Sequence, residues 1–421
     1  MERLTGLLGF VLILGIAFAL SNNRKAINYR LVASGLALQI ALAVFILKTP
    51  PGKIIFKAIG DFITKVLEYG DKGGEFVFGV LTKSDVLGNS LGAQWGFIFF
   101  FKITPTIIFV AVLVNIAYHL GIMQKFIVVV AKVVHAIMGV SGSEALSNAA
   151  SAFVGQVEAQ IMIKPYLNTM TKSELLASMA GSMACIAGGV MAVYISFGVP
   201  AEYLLAASIM AAPAALVIAK IVYPETEESQ TKGEIKLEVK QQYSNLVDAI
   251  SHGASDGLKV SLNVAAMLIG FLALIALIDG ALGGIGTLLA NAGMNVDASK
   301  FSLTTILGFV FSGFAWAMGV PSQDIMTAGS LMGTKMVANE FVAYSNLKDL
   351  IVQNALQAKT LAIVSIALCG FANFGSIGIQ IGGIGELAPE RRADLASLGF
   401  RALICGTLAS YLSATIAGIL F

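Results

Sequence analysis

The chain has 421 residues; 57% are hydrophobic, only 12% are charged, and the formal net charge at pH 7 is +2. A soluble domain is roughly one quarter charged residues, so most of this chain must be surrounded by membrane lipid rather than water. Proteins that bind nucleic acids usually carry a large positive charge, and the net charge here is small, so we expect no nucleic-acid partner.

Eight apolar segments predict transmembrane helices, since about 20 apolar residues suffice to cross a bilayer. They run over about 4–20, 31–48, 97–120, 173–197, 200–222, 256–279, 356–383 and 394–420. Residues 53–82 mix charged and apolar side chains, which predicts a helix lying in the membrane interface. Residues 121–139 have the pattern of a short amphipathic helix.

Two further apolar regions are divided by polar residues. The stretches 143–153 and 159–170 flank a polar tip around Gln156, and 303–319 and 325–344 flank a polar break at 319–324. Pairs of half-length helices predict re-entrant hairpins, which a membrane tolerates only inside protein or beside a cavity. An interrupted span and an intact span follow each hairpin.

Counted from an N-terminus on the outside, the spans place the ends of the first hairpin in the cytoplasm and those of the second outside, so the two halves are inverted. The distribution of Lys and Arg agrees. Inverted repeats with broken helices are typical of secondary transporters that bind substrate near the bilayer midplane. The sequence therefore predicts an all-α polytopic membrane protein with eight transmembrane helices, two opposed re-entrant helical hairpins, an inverted repeat and an interfacial helix.

Two acids lie in these hairpins, Glu158 at the tip of the first and Glu340 in the second half of the other. An ionisable group at membrane depth is costly and is by default a functional candidate. The alternative for Glu340 is a structural ion pair with Lys335, and the alternative for Asn373, in the last broken span, is a helix–helix contact.

Carboxylates, amides, the hydroxyl of Ser376 and the ring of Phe371 favour a neutral ligand with hydroxyl groups and a flat heterocycle. These residue types indicate a nucleoside or a sugar. An enzyme would need a nucleophile and base or metal ligands, and none are evident, so we expect no enzymatic activity and no cofactor. A channel usually forms its pore from rings of residues that symmetry repeats. This chain instead carries a complete candidate site within one protomer, which favours a carrier over a channel.

Five motifs spread over the chain, with an early run over 21–28, resemble those of the concentrative nucleoside transporter family, bacterial type. They are Gly155-Gln156-Val157-Glu158-Ala159, Ile186-Ala187-Gly188-Gly189-Val190, Pro224-Glu225-Thr226-Glu227, Val337-Ala338-Asn339-Glu340-Phe341-Val342-Ala343-Tyr344 and Cys369-Gly370-Phe371-Ala372-Asn373. The resemblance implies a multi-pass protein of the bacterial inner membrane that imports nucleosides as a homotrimer. It also implies a scaffold domain and a moving, elevator-type transport domain.

On this resemblance the chain divides into four regions. Residues 1–140 form scaffold spans and the interfacial helix, and 141–223 form the first hairpin and transport-domain spans. Residues 224–300 form a cytoplasmic loop and a scaffold span, and 301–421 form the second hairpin and further transport-domain spans.

The resemblance also implies roles for individual residues. The nucleobase is assigned to Gln156, Val157, Glu158 and Val190. The ribose is assigned to Glu340, Asn373 and Ser376, with Phe371 beside them. A sodium ion is assigned to Ser151, Val154, Cys185 and Ile186, the second and fourth through their backbone carbonyls.

Three positions depart from the family pattern. Val157 replaces a hydroxyl residue near the base, which leaves the preference between purines and pyrimidines open. Ser151 replaces Asn, and Cys185 replaces a hydroxyl residue found in some members; a thiol is a poor ligand for sodium, which prefers hard oxygen atoms. Sodium is therefore the expected coupling ion, and the alternative is proton coupling through Glu158 or Glu340, since buried carboxyl groups can exchange protons.

Overall fold

The computed structural model describes residues 2–92, 97–233, 243–293, 297 and 301–421, and in these ranges the secondary structure is helical, with no strand. The α-helices are α1 (Glu2–Ala19), α2 (Tyr29–Lys48), α3 (Pro50–Phe78), α4 (Ser84–Leu91), α5 (Phe99–His119), α6 (Ile122–Met138), α7 (Gly142–Ser151), α8 (Glu158–Ile161), α9 (Lys172–Ala184), α10 (Gly188–Ser196), α11 (Ala201–Val222), α12 (Leu246–Asn291), α13 (Leu303–Ala317), α14 (Ile325–Val337), α15 (Glu340–Val352), α16 (Ala358–Leu368), α17 (Phe374–Leu387) and α18 (Arg392–Leu420). The predicted all-α fold is confirmed.

Six segments of the described chain are long and apolar enough to cross a membrane: Tyr29–Lys48, Phe99–His119, Lys172–Ser196, Ala201–Val222, Leu246–Asn291 and Pro389–Leu420. The other two predicted spans correspond to α1 and to the pair α16 and α17, whose helices are shorter. The total of eight crossings therefore stays a prediction.

The predicted end of the sixth span at Asp279 is wrong. Helix α12 continues through Asp279 and Gly280 and reaches a length of 46 residues. The carboxylate of Asp279 instead accepts a hydrogen bond from the backbone N–H of Leu303, 2.6 Å away, at the start of α13. An acidic residue in an apolar segment can mark the end of its own helix, or it can accept a hydrogen bond from the start of a neighbouring helix. The sequence alone does not distinguish the two cases.

Burial separates an inner from an outer group of helices. In the most apolar 18-residue stretch of α11, 89% of the residues are buried inside the protein, and the segments that contain α9 and α18 are similar. In the corresponding stretch of α12, only 11% are buried. Within the outer group, α12 packs against α5 at two glycines. A Cβ atom at Gly253 would lie 2.7 Å from Val112 Cα, and one at Gly257 would lie 2.6 Å from Ile108 Cα. Small residues allow this close approach of two backbones.

The predicted interfacial segment is one 29-residue helix, α3, which begins after Thr49, whose side chain accepts a hydrogen bond from Gly52 N–H. It is not among the helices apolar enough to cross. One face is buried, including Gly60 against Ala201 and Gly74 against Pro105, while Phe62 and Phe76 are exposed. The amphipathic helix predicted at 121–139 is present as α6.

The second half of the first hairpin is less regular than predicted. Residues 159–170 do not form one helix; they contain the four-residue α8 and a 3-10 turn at Lys164–Tyr166. Pro165 lacks a backbone N–H and cannot continue the α-helical hydrogen bonds.

The break of the second hairpin lies elsewhere than predicted. The segment 325–344 is not one continuous half, because α14 ends at Val337 and α15 begins at Glu340. Asn339 starts the new helix by accepting a hydrogen bond from Val342 N–H at 2.9 Å. The second hairpin therefore consists of α14 and α15. Helix α13 precedes it, as α6 precedes the first hairpin.

The two halves thus share one order of elements: a single helix, a hairpin, a broken span and an intact span. In the first half these are α6, α7–α8, α9–α10 and α11. In the second half they are α13, α14–α15, α16–α17 and α18. The first break spans 185–187 and leaves Gly188 and Gly189 inside α10, while the second spans 369–373 and leaves Ser376 inside α17.

A buried ionic cluster ties the first hairpin to the inner helices. Lys220 of α11 pairs with Glu144 at the start of α7 and with Glu225, whose carboxylate is 3.2 Å away. Lys220 also donates to Ser173 of α9 at 2.8 Å. The motif that begins at Pro224 therefore has a structural role, because Glu225 stabilises a lysine that is otherwise costly to bury.

Candidate functional site

The start of α17 holds the acid of the second hairpin. Asn373 is the N-cap of this helix, and its Oδ1 accepts a hydrogen bond from Ser376 N–H at 3.0 Å. Its amide nitrogen donates to Glu340 Oε2 at 3.0 Å. Because the oxygen of Asn373 is occupied by the cap, the amide must direct its donor toward Glu340. Glu340 is buried and is the first residue of α15, where the helix dipole favours a negative charge.

The tip of the first hairpin reaches the same turn of α17. Gln156 Nε2 donates to the hydroxyl of Ser376 at 3.5 Å, and Gln156 Oε1 accepts from Gln380 Nε2 at the same distance. Gln380, one turn further along α17, is fully buried and also donates to the carbonyl of Met179 at 3.1 Å. The structure therefore brings Gln156, Ser376, Asn373 and Glu340 together.

The remaining candidates for substrate contact lie around this group. Val157 packs against Gly383 of α17, where a Cβ atom would approach its side chain to 2.6 Å. Val190, in the first turns of α10, and Phe371 are partly exposed. Glu158 is exposed at the start of α8, with its carboxylate over Gly155. Of the two acids, only Glu340 is buried.

The two broken spans meet at their breaks. The backbone N–H of Phe371 donates to the carbonyl of Cys185 at 3.1 Å. Gly370 makes this approach possible, because a Cβ atom there would lie 2.8 Å from the carbonyl oxygen of Met183 and 2.9 Å from that of Ala184. One main-chain hydrogen bond thus links the two halves beside the candidate site.

The four residues assigned to sodium are buried around the first break. Ser151 ends α7, and its hydroxyl donates to the carbonyl of Ser147 at 2.8 Å and lies 2.9 Å from the hydroxyl of Ser182. Cys185 caps the end of α9, and Val154 and Ile186 lie in the adjacent irregular backbone. Hydroxyl and carbonyl oxygens of this kind suit a hard monovalent cation.

A polar network extends from Ser151 between α7 and α9. Gln160 donates to Ser182 at 2.7 Å and accepts from Ser178 at 2.6 Å, and Ser147 contacts Ser178. All of these side chains are buried. Sequence reasoning missed the network, although Ser143, Ser147 and Ser151 recur at every fourth residue and so share one face of α7.

Two further residues complete the surroundings of Glu340. The hydroxyl of Tyr194 donates to Glu340 Oε1 at 3.4 Å, and its ring stacks on Tyr344 with centroids 4.0 Å apart. The alternative pairing of Glu340 with Lys335 is not the arrangement found, because Lys335 Nζ donates to the carbonyl of Ala367 at 2.8 Å. A buried carboxylate with two neutral donors can receive ligand hydroxyls in their place.

Known proteins match this architecture along the whole chain. Family profiles match at 8–81 (Na⁺ dependent nucleoside transporter N-terminus), 100–201 (Gate, nucleoside recognition) and 203–418 (Na⁺ dependent nucleoside transporter C-terminus). Nucleoside permease NupC of Helicobacter pylori is 38% identical over 421 residues, which cover 99% of this chain and 98% of the permease. Sodium/nucleoside cotransporter 1 of Mus musculus is 39% identical over 436 residues, covering 100% of this chain and 64% of the cotransporter.

A solved structure of CNTnw in an inward-facing substrate-bound state shares the fold, with a TM-score of 0.93 and 41% identity over 100% of this chain and 98% of that chain. The matched families and relatives make the class of protein a transporter, not an enzyme. With these relatives at such coverage, the chain belongs to the Na⁺-dependent, or concentrative, nucleoside transporter family. The resemblance found in its motifs is confirmed.

Proposed function

We propose that this protein imports nucleosides across the bacterial inner membrane by cation symport. The observation that carries the proposal is that both hairpin tips contact the first turns of α17, through Gln156 with Ser376 and Glu340 with Asn373. A ligand bound there would contact both inverted halves at once, as midplane sites of secondary transporters do. The family membership supplies the substrate class.

The ligand is divided between the two hairpins in this proposal. Glu340, Asn373 and Ser376 bind the ribose, because a buried carboxylate and an amide can accept from and donate to its hydroxyls. Gln156 and Glu158 hydrogen-bond the base, while Val157, Val190 and Phe371 pack against its faces. Glu158 is exposed in this structure and would turn toward the base on binding.

Sodium is the coupling ion that we propose, held by Ser151 and by the carbonyls of Val154 and Ile186 beside Cys185. Ser182 supports this assignment, because its hydroxyl lies 2.9 Å from that of Ser151 and offers a second hard oxygen where Cys185 offers sulfur. The matched family profiles are described as Na⁺ dependent.

The alternative is a proton-coupled nucleoside symporter. The two departures at Ser151 and Cys185 favour it, because Cys185 offers sulfur in place of an oxygen ligand and Ser151 offers a hydroxyl in place of an amide oxygen. Glu158 is then the first candidate proton carrier, since it is exposed and lies in the tip next to the cation site. Glu340 is the second candidate.

Alternating access by an elevator motion, in a homotrimer, completes the proposal. The buried helices α9, α11 and α18 form the body that would move, and α5 and α12 form the outer frame. Solved structures of CNTnw variants in outward-facing and intermediate states share the fold with TM-scores of 0.90 to 0.93. One fold that is seen in several states is what a moving body requires.

Uptake into proteoliposomes under separately imposed sodium and proton gradients tests the function, with uridine, cytidine, adenosine and guanosine as substrates. We expect concentrative uptake of at least one of them, driven by inward sodium. If only a proton gradient drives accumulation, Glu158→Gln should abolish accumulation and leave nucleoside exchange partly intact. Absence of any nucleoside transport by the intact protein would overturn the proposal.

A further inference from the structure

Lys335 is a buried cation that no step of the proposed transport uses. It lies in the last turn of α14, is 1% exposed, and donates to the carbonyl of Ala367 at 2.8 Å. The other lysine buried in an inner helix, Lys220, pairs directly with two carboxylates. An ammonium group in a protein interior is costly unless its surroundings compensate for the lost water, so a charged Lys335 needs a favourable place with polar partners.

The end of α16 provides that favourable place. The last carbonyl groups of a helix lack partners inside the helix and carry its negative dipole. Here side chains of other helices take the role of partner: Tyr344 donates to the carbonyl of Ser365 at 2.6 Å, Lys335 to that of Ala367, and Ser410 to that of Cys369 at 3.4 Å. Both halves of the second hairpin thereby contact the break between α16 and α17.

Lys335 also lies beside the hairpin break that leads to the candidate ribose site. Glu340 is five residues further along the chain, as the first residue of α15. The carboxylate keeps its hydrogen bonds to Asn373 and Tyr194. A fixed positive charge nearby stabilises the anionic form of Glu340 without occupying the oxygen atoms that a ligand would use.

The first repeat has no lysine in the corresponding helix, α7. Between its hairpin and the end of α9 it has the hydroxyl and carbonyl groups of the proposed cation site. This comparison and the role toward Glu340 rest on the proposed function, whereas the contact with α16 does not. We propose that Lys335 is a protein-borne cation that fixes the second hairpin to its broken span and, from there, strengthens Glu340 as an acceptor for the ligand. Lys335 lies between the second hairpin and the end of α16, and in the first repeat the corresponding position, between the hairpin and the end of α9, is that of the proposed cation.

Removal and replacement of the charge test this role. Lys335→Met keeps most of the volume without the charge, and we expect at least about a tenfold loss of nucleoside affinity from the weakened anionic acceptor. Lys335→Ala leaves a space that n-propylammonium fits, since this ion has the atoms that were removed. We expect n-propylammonium to restore nucleoside binding to Lys335→Ala, and n-propanol, which is uncharged, to have no such effect.

The thermal midpoint is a second readout that needs no nucleoside. It should rise with n-propylammonium for Lys335→Ala and stay unchanged for the unmutated protein. Lys259→Met, at an exposed lysine of α12, is the matched control and should bind and transport normally. If the unmutated protein fails to bind nucleosides, the proposed function fails, while the thermal response of Lys335→Ala still decides the role of Lys335.

The proposal is overturned if Lys335→Met binds and transports like the unmutated protein, or if n-propylammonium acts no better than n-propanol. If both variants are absent from the membrane, the double variant Lys335→Met with Glu340→Gln decides. Neutralising both groups removes the unbalanced buried charge. Recovery of the membrane level supports the electrostatic role, and no recovery overturns it.

Discussion

Glu340 makes two hydrogen bonds in the structure, to Asn373 at 3.0 Å and to Tyr194 at 3.4 Å. We expect Glu340→Gln to reduce uptake at least about tenfold, because hydrogen bonds to a charged acceptor contribute about 1.5–3 kcal/mol. Tracer uptake measures the effect. Glu386→Gln, at an exposed acid of α17, is the control and should transport normally.

A nucleoside without its ribose hydroxyls tests the same assignment from the ligand side. A 2′,3′-dideoxynucleoside should compete poorly with the natural nucleoside for the unmutated protein. Equal competition would show that Glu340 does not bind the ribose.

Ser151 and Cys185 are the residues at which the coupling ion can be tested. Ser151→Ala should weaken the dependence of uptake on external sodium, because it removes a hydroxyl oxygen. Cys185→Ser should strengthen that dependence, because it restores a hard ligand. Cys405→Ser changes a buried thiol of α18 far from the breaks in sequence and serves as the control. Uptake that is indifferent to sodium in all variants and follows the proton gradient would contradict sodium coupling.

Residue patterns in the sequence anticipate only part of this group. Glu340, Asn373 and Gln156 are polar residues in apolar surroundings, and the structure brings them together. Gln380 was missed, although it follows Asn373 and Ser376 at helical spacing and therefore shares their face of α17. Tyr194 could not be predicted to contact Glu340, because the contact joins positions 146 residues apart and depends on how the two halves pack.

At the scale of single elements, the start of α17 depends on Asn373. Asn373→Ala should lower both the thermal midpoint and nucleoside affinity, since it removes the cap of α17 and the donor to Glu340; a lost cap costs about 1 kcal/mol. Asn373→Ser keeps an oxygen that can cap the helix but removes the amide donor. We expect it to restore the thermal midpoint and not the affinity, as measured by melting and by equilibrium binding. Equal behaviour of the two variants would contradict this division of roles.

The contact between α5 and α12 depends on glycines that a methyl group would disrupt. Gly257→Ala should lower the thermal midpoint, because the new Cβ would lie 2.6 Å from Ile108 Cα and overpacking costs about 1–3 kcal/mol. Gly270→Ala in the same helix is the matched control, since no atom lies within 4 Å of its Cβ position. Alanine favours helix there, so its midpoint should be equal or higher. A Gly257→Ala protein as stable as the control would show that the helices can separate at no cost.

Helix ends were the least predictable feature of the elements. Hydropathy located most spanning helices within a few residues, because burial in lipid imposes an apolar composition; the exception is α12, which extends well beyond the predicted 256–279 at both ends. It placed the second hairpin break at 319–324, where Pro321 and polar residues do interrupt the helix, but the hairpin tip is at 338–339. Asn339 marks that tip only through its side-chain cap, a single hydrogen bond that hydropathy does not register.

For the whole molecule, the exposed apolar surface of α12 bears on assembly. Ile269 and Leu277 are exposed in the single chain, and so are Phe62 and Phe76 of α3. We expect a homotrimer whose contacts come from α3, α5 and α12, and light scattering in mild detergent and in lipid nanodiscs should give the mass of three chains. A monomer in both environments would contradict the prediction and leave these surfaces to lipid alone.

The hydrogen bond from Phe371 N–H to the Cys185 carbonyl joins the two halves through main-chain atoms only. Most substitutions at either position leave these backbone atoms in place, so the hydrogen bond that aligns the two breaks does not depend on the identity of the side chains. Changes at 151 and 185, the side chains proposed as ion ligands, would therefore leave the spacing of the residues proposed to face the nucleoside unaltered. In this architecture the energy source and the cargo would then be separable properties.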